Sequence, residues 1–259
     1  MLGTLGIING LLATERQRHQ AGRRLSGRPV LEWVARHMTD SCRLNGVIIV
    51  TDHSEENAFI RMITPPDIPV YLTKSSETLK AVLEALESYN AESCVLIGMD
   101  WPLIDSTIVD RLIHAAEKKT PCQYAAYKFQ NYCFAAGRPF GMFPEWYQVK
   151  ALRHAASRVS NPIYREFPGL YFLENSGHAI ELIPAPEGLD QDNVRFTIEN
   201  EEDWEHVVQI FDAMGSPDDE VDWHKIRQFL IHQPDKQDRI PRSHHFAKQP
   251  AVPLGHGTE

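Results

Sequence analysis

The sequence predicts an α/β fold built on a mostly parallel, doubly wound sheet, with a smaller, partly antiparallel lobe in the second half. Short apolar runs at 5–8, 47–50, 70–72 and 95–97 alternate with helical patterns of about 10–15 residues, which is typical of a parallel sheet covered on both faces. Beyond about residue 120 the pattern becomes irregular, and strands are predicted at 124–127, 132–136, 170–173, 179–183 and 194–198.

The helices are predicted from apolar residues that recur three and four positions apart. In the first half this spacing covers residues 30–38, 55–62, 76–89 and 105–119. Asp105 stands at the start of the last of these and is a suitable N-cap. In the second half the helical segments are 144–157, 201–214 and 222–232. The chain is 259 residues long and 42% hydrophobic, so residues 1–233 are predicted to form a single domain and 234–259 a polar tail.

The charge and the cysteines exclude several classes of protein. The net charge of −9 and the absence of a Lys/Arg tract argue against binding to nucleic acid. Four cysteines without a C-x-x-C pair favour a reducing compartment, hence the cytoplasm, and no apolar stretch is long enough for a membrane span. The motifs of serine hydrolases, P-loop proteins and zinc proteases are also absent.

One acidic residue stands at the end of an apolar run, in V-L-I-G-M-D-W-P-L-I-D at 95–105. Ligands of open α/β sheets bind beyond the carboxyl ends of the strands, where Asp100 is predicted to lie. A solvated strand end or a helix cap is the simpler interpretation of this carboxylate. A metal-binding carboxylate at the edge of a nucleotide site is the alternative.

The segment after the first strand is the most basic part of an acidic chain. It contains five arginines, at positions 16, 18, 23, 24 and 28. Arginine pairs well with phosphate, and the backbone N–H groups of a tight turn at Asn9 and Gly10 can contribute to an anion site. The segment is therefore either a triphosphate-binding loop or a solvated flexible loop.

Five segments in order make the chain resemble the cytidylyltransferases of spore-coat and surface polysaccharide synthesis, the SpsF type, and more broadly the acylneuraminate (CMP-sugar) cytidylyltransferases. The resemblance covers about residues 5 to 240. The segments are G-R-P-V-L-E-W-V (27–34), D-W-P-L-I-D-S-T-I-V-D-R-L-I (100–113), G-M-F-P-E-W-Y-Q-V-K-A-L (141–152), R-F-T-I-E-N-E-E-D-W (195–204) and the closing helix W-H-K-I-R-Q-F-L-I-H-Q-P-D (223–235).

The resemblance implies a nucleotide-diphospho-sugar transferase-like (GT-A, Rossmann-like) fold and an enzyme that transfers CMP from CTP to a sugar or sugar acid with Mg²⁺. It implies a nucleotide-binding half (5–120), an acceptor and dimerisation half (121–215), a closing helix (216–233) and a homodimer. Asp100 and Glu199 would bind the metal, and Asp100 and Arg16 would be catalytic. The nucleotide would be bound by Asn9, Gly10, Leu11, Arg16, Arg18 and Arg23. The acceptor would be bound by Arg138, Glu145, Tyr164, Arg165 and Glu166.

The chain departs from this family in the nucleotide loop. Where the family has I-I-Q-A-R-x-G-S-T-R-L-P-G-K, the chain reads I-I-N-G-L-L-A-T-E-R-Q-R-H-Q, so that Gln20 replaces the lysine. Leu72-Thr73-Lys74 stands in the place of the family's R-G-S, and Glu199 replaces an Asp. These changes leave open a catalytically silent homologue that binds a nucleotide or a partner, and a transferase for another phosphorylated acceptor. Glu199 and the acceptor residues can also be an acidic helix start and surface ion pairs.

Overall fold

A computed structural model describes residues 2–12, 14–129, 140–190, 195–214 and 222–232. Within these ranges seven strands form one sheet in the order β5-β4-β1-β6-β8-β7-β9, and β2 and β3 form a separate antiparallel ribbon. The strands are β1 (Leu2–Asn9), β2 (Arg24–Leu25), β3 (Arg28–Pro29), β4 (Val47–Asp52), β5 (Val70–Thr73), β6 (Ala91–Gly98), β7 (Tyr124–Lys128), β8 (Glu145–Gln148) and β9 (Ile180–Pro184). Only β8 runs antiparallel to its neighbours in the large sheet.

The helices pack on both faces of this sheet. They are α1 (Glu15–Ala21), α2 (Val30–Thr39), α3 (Phe59–Ile63), α4 (Thr78–Ser88), α5 (Ser106–Lys118), α6 (Val149–Arg158), α7 (Pro162–Glu166), α8 (Pro168–Glu174), α9 (Glu201–Met214) and α10 (Trp223–Ile231). Side chains alternate along each strand, so Ile8 joins the core layer of α2, α5, α9 and α10, while Ile7 joins that of α4, α6 and α8. The predicted mostly parallel, doubly wound α/β fold is therefore confirmed.

Two predictions for the second half are wrong, and a third, the helix at 144–157, is confirmed only for residues 149–157. The apolar run at 170–173 lies in α8, which begins at Pro168, a residue suited to the first helical turn. The segment 144–157 divides into β8 and α6, because its first residues pair with β6 and β7. Residues 195–198 form no strand, although Phe196 N–H donates to Phe140 O (2.8 Å). The strand predicted at 132–136 lies outside the described residues, as does Val194.

Parallel pairing brings three strand ends to one edge of the sheet. Asn9, the last residue of β1, lies opposite Gly98 of β6 on one side and Val50 of β4 on the other. The chain segments that leave these strands therefore start side by side, at the carboxyl edge where α/β sheets bind ligands. In the part of the chain that the structure describes, every helix is too short or too polar to span a bilayer.

Candidate active site

Asp100 lies two residues beyond β6, over the backbone of Gly98. A Cβ placed on Gly98 would be 2.4 Å from Asp100 Oδ1 and 2.7 Å from Trp101 Nε1. Both side chains therefore occupy space that only glycine leaves at this position. The strand end thus fixes the carboxylate and the indole next to each other at the carboxyl edge.

The helix cap that the sequence offered as an alternative for Asp100 is supplied by Asp105. Its carboxylate accepts hydrogen bonds from Thr107 N–H (2.7 Å) and Ile108 N–H (3.2 Å) at the start of α5. Its other oxygen accepts from Trp223 N–H (2.9 Å), the first residue of α10. Asp105 is therefore structural, as predicted, and Asp100 does not have this capping role.

Glu199 is brought beside Asp100 by the backbone that precedes α9. The N–H of Ile198 donates to Asp100 O over 3.2 Å. The start of α9 is capped reciprocally, because Asp203 accepts from Asn200 N–H (3.2 Å) while Asn200 Oδ1 accepts from Asp203 N–H (2.9 Å). The backbone N–H of Glu199 donates to Asp203 (3.0 Å), but the carboxylate of Glu199 takes no part in this cap.

The carboxylates of this site share one electrostatic field. Asp100 keeps a little exposed surface, but the protein atoms around it desolvate the carboxylate and, with the charges of Glu199 and Asp203, raise its pKa to about 7. Desolvation also raises the pKa of Glu199, and the charges of Arg195 and Arg16 oppose this rise. Two carboxylates that disfavour each other's charge form a site that a cation stabilises.

This donor set fits Mg²⁺ with ligands from the substrate. The ion usually takes one or two carboxylates and completes its octahedron with water and phosphate oxygens. Among the described residues no group of three or more His, Cys, Asp or Glu side chains is arranged to hold a metal by itself. Asp100 and Glu199 would therefore hold the ion jointly with a nucleotide.

The backbone of the first loop is bound to the sheet rather than open to a phosphate. Gly10 N–H donates to Val50 O (2.8 Å), and Gly10 O accepts from the Thr51 hydroxyl (2.9 Å). Leu11 N–H donates to Asn9 Oδ1 over 3.2 Å. The N–H groups of Gly10 and Leu11 are thus already hydrogen-bonded in this structure.

The basic segment folds into α1 and the β2–β3 ribbon instead of a flexible loop. Thr14 and Gln17 cap α1 reciprocally. Arg18 donates to Leu12 O (3.0 Å), and Arg24 donates to Gly27 O (2.8 Å). These contacts hold the segment in place and use two of its five arginines locally.

Arg23 and Arg28 also contact other side chains, so Arg16 is the arginine of this segment that remains available for a ligand. Arg23 forms a bidentate ion pair with Glu201 (2.6 and 3.0 Å) and stacks 3.7 Å from the centre of the Trp204 ring. Arg28 lies over Trp33 (5.1 Å). Arg16, on α1, has no hydrogen bond or ion pair within the described ranges, and its charge opposes the rise in the pKa of Glu199. This electrostatic interaction indicates that Arg16 lies on the side of the acidic pair.

Glu145 lies in a tyrosine cluster on β8, the strand next to β6. Its Oε2 accepts from the hydroxyls of Tyr124 (2.9 Å) and Tyr147 (2.5 Å). Gly169 packs so closely that a Cβ there would be 1.9 Å from this oxygen. Glu145 is opposite Leu96, two residues before Gly98, so the cluster lies along the same sheet as the acidic pair.

The other predicted acceptor residues are distributed over and beyond α7. Arg165 pairs with Glu77 (2.8 Å), the residue before α4, and Thr78 Oγ1 accepts from the Asn9 amide (3.4 Å). Tyr164 donates to Glu174 (2.6 Å), and Glu166 is exposed. Arg138 lies outside the described residues. Arg165 is thus linked to the strand edge through α4, whereas Tyr164 and Glu166 are not linked to it by these contacts.

Sequence reasoning missed two charged residues of the site, Arg195 and Asp203. Arg195 is buried and forms ion pairs with Glu199 (3.3 Å) and Asp203 (3.0 Å). The spacing of four between 195, 199 and 203 is a signal that the sequence contains. The strand predicted at 194–198 separates Arg195 from the helix that carries Asp203, so the spacing alone does not indicate contact between these side chains.

Comparison with known proteins agrees with this architecture. The sequence model of the MobA-like NTP transferase domain matches residues 16–163. An uncharacterised protein of Methanocaldococcus jannaschii is 22% identical over 89% of this chain and 91% of its own length. A cytidylyltransferase from Leptospira borgpetersenii aligns with a TM-score of 0.78 at 20% identity, covering 94% of this chain and 99% of that one. A CMP:2-keto-3-deoxy-manno-octonic acid synthetase, solved with CTP, aligns with a TM-score of 0.59 at 10% identity, covering 82% and 99%.

Proposed function

Because the chain belongs to the MobA-like NTP transferase domain family, we propose that it is a Mg²⁺-dependent cytidylyltransferase of surface-polysaccharide biosynthesis. An oxygen of a sugar or sugar acid would attack the α-phosphorus of CTP. The bond between that phosphorus and the bridging oxygen to the β-phosphate would break, and pyrophosphate would leave. No covalent intermediate with the protein is required.

The observation that carries this proposal is the acidic pair at the carboxyl edge. Asp100 and Glu199 lie where substrates of this fold class bind, and their mutual repulsion suits them to hold Mg²⁺. The ion, when bound with the nucleotide, supplies positive charge to the phosphate oxygens. Arg16 would bind the triphosphate from the opposite side, and Asn9, Gly10 and Leu11 would line the floor of the nucleotide site.

The acceptor is proposed to lie against the second half of the chain. Arg165 and Glu145 are linked to the strand edge by hydrogen bonds or sheet pairing, which supports them as acceptor-binding residues. Tyr164, Glu166 and Arg138 are proposed as acceptor-binding residues from the family resemblance. Residues 1–233 would act as one domain, with 234–259 as a tail, and two copies would pair through the 121–215 half. Free thiols at Cys42, Cys94 and Cys122 are consistent with a cytoplasmic protein.

The second candidate is a catalytically silent homologue that binds a nucleotide or a partner. Gln20, which replaces the family's lysine, is buried and accepts a hydrogen bond from Arg23 (3.4 Å). Arg18 and Arg23 are committed to protein contacts. Fewer arginines are therefore available to bind a triphosphate than the sequence suggests. This shortage of positive charge favours binding without turnover.

Pyrophosphate release separates the two candidates. The protein is incubated with CTP, Mg²⁺ and a panel of sugars and sugar acids, and Asp100→Asn is compared with Asp212→Asn, a matched change at an exposed position of α9. The enzyme hypothesis requires release that Asp100→Asn abolishes and Asp212→Asn preserves. CTP binding by calorimetry without release with any acceptor supports the silent homologue. The absence of both CTP binding and pyrophosphate release rejects the cytidylyltransferase and a CTP-binding homologue.

A further inference from the structure

Arg195 is a buried cation between two carboxylates. Only 8% of its surface is exposed. Nη1 lies 3.3 Å from Glu199 Oε2, and Nη2 lies 3.0 Å from Asp203 Oδ1. Nη2 is outside hydrogen-bonding geometry, and Nε has no hydrogen-bond partner within the described residues. Because a buried guanidinium is costly unless it is paired, its position is determined mainly by these two carboxylates.

The side chains of Arg195, Glu199 and Asp203 connect the segment 195–198 with the first turn of α9. Arg195 begins the segment 195–198, which is anchored where Phe196 N–H donates to Phe140 O and Ile198 N–H donates to Asp100 O. Asp203 is fixed in the first turn of α9 by the N–H groups of Glu199 and Asn200. Glu199 lies between these two anchors in the sequence, and among the described residues its ion-pair partner is the guanidinium of Arg195.

We infer that Arg195 is a positioning residue that holds the carboxylate of Glu199 toward Asp100 for metal binding. This inference rests on the metal site of the proposed function. Removal of the guanidinium has two opposite effects on a cation: a positive charge is lost, and Glu199 gains rotational freedom. We expect the second effect to be the larger one, because this guanidinium is the ion-pair partner of the Glu199 carboxylate among the described residues. Loss of Arg195 therefore weakens metal binding.

The test is Mn²⁺ binding, measured by electron paramagnetic resonance with CTP present and no acceptor, because the two carboxylates would hold the ion jointly with a nucleotide. Wild type is compared with Arg195→Met, Arg195→Lys and Glu199→Gln, and with Arg195→Met combined with Glu199→Gln. Arg153→Met is the matched control, since Arg153 forms an exposed ion pair with Glu87 on the other face of the sheet. Substitutions of residues that orient metal ligands typically weaken metal binding by about 10- to 100-fold. We expect about a tenfold higher Kd for Arg195→Met, a smaller increase for Arg195→Lys and no change for Arg153→Met.

The double variant distinguishes positioning from general damage. If Arg195 acts through Glu199, Arg195→Met adds no further weakening when Glu199 is already Gln. Equal weakening in both backgrounds, or unchanged or tighter binding by Arg195→Met, overturns the inference. Should Arg195→Met fail to fold in thermal denaturation, Arg195→Lys is carried through the same comparison with Glu199→Gln. If Asp100→Asn and Glu199→Gln leave Mn²⁺ binding at the wild-type level, the proposed metal site itself is rejected.

Discussion

A single methyl group at Gly98 should damage the site far more than it damages the fold. In Gly98→Ala the new Cβ would be 2.4 Å from Asp100 Oδ1, 2.7 Å from Trp101 Nε1 and 3.0 Å from Trp101 Cδ1. Non-bonded carbon contacts are comfortable only at about 3.5 Å and beyond, so the carboxylate and the indole must each move by roughly 1 Å. Both lie beyond the end of the strand and keep some exposed surface, so they have more room to move than a fully buried side chain.

The expected consequence is a selective loss of activity. A displacement of about 1 Å of a catalytic group costs on the order of 100-fold in rate. An overpacked position costs roughly 1–3 kcal/mol in a rigid core, and the side chains here can yield, so we expect the free energy of unfolding to fall by no more than about 1 kcal/mol. Activity is measured as pyrophosphate release under saturating CTP and Mg²⁺, and stability by urea unfolding.

Gly46→Ala is the matched control. A Cβ at Gly46 would be 3.7 Å from Leu5 Cδ1, an ordinary contact, so this variant should retain wild-type activity and stability. Gly98→Ala with full activity would refute the close placement of Asp100 and Trp101 over β6. A loss of stability as large as the loss of activity would show that Gly98 supports the fold rather than the site.

Three further changes test other parts of the molecule. Arg16→Ala should lower kcat/KM for CTP by about 100-fold, since Arg16 is available for charge-assisted hydrogen bonds to phosphate. Arg24→Ala should leave kcat/KM unchanged, because Arg24 is bound to Gly27 O. Equal effects of the two substitutions in steady-state kinetics would contradict a role of Arg16 in phosphate binding. Asp105→Ala removes the cap of α5 and the link to Trp223, and urea unfolding should show a loss of about 1–3 kcal/mol. Burial lowers the pKa of His37 to about 4, so the folded protein keeps it neutral. The stabilisation from a neutral His37 is complete above pH 6.5 and is lost toward pH 4. Between pH 7 and pH 5 the free energy of unfolding of the wild type should therefore fall by about 2 kcal/mol more than that of His37→Gln. Parallel pH profiles of the two proteins in urea unfolding would exclude the effect.

The sheet and its functional edge could be predicted because they depend on local patterns. The apolar run before Asp100 is an eight-residue strand, β6, and the acidic residue follows it as the pattern indicates. The run at 170–173 was misassigned because a short apolar segment is compatible with strand and helix alike. Only the pairing of neighbouring strands decides between them, and pairing is a long-range property.

The roles of the arginines could not be predicted because they depend on partners far away in the chain. Arg23 binds Glu201, which is 178 residues later, and Trp204 on the same helix. A cluster of arginines in sequence suggests a common ligand, but neighbouring side chains on α1 and the ribbon point to different partners. The five arginines of the segment therefore overestimate the number of positive side chains that can bind a triphosphate.

The charge balance of the site makes metal dependence the decisive property. Arg16 is the one arginine of the basic segment without a hydrogen bond, ion pair or ring contact in the described ranges, so it cannot neutralise a triphosphate alone. Arg195 does not help, because Glu199 and Asp203 already pair with it. In the proposed function, most of the remaining charge would come from a divalent ion held by Asp100 and Glu199. An active enzyme should therefore lose nearly all CTP affinity on removal of divalent ions, whereas CTP binding that persists in EDTA would place the nucleotide away from the acidic pair.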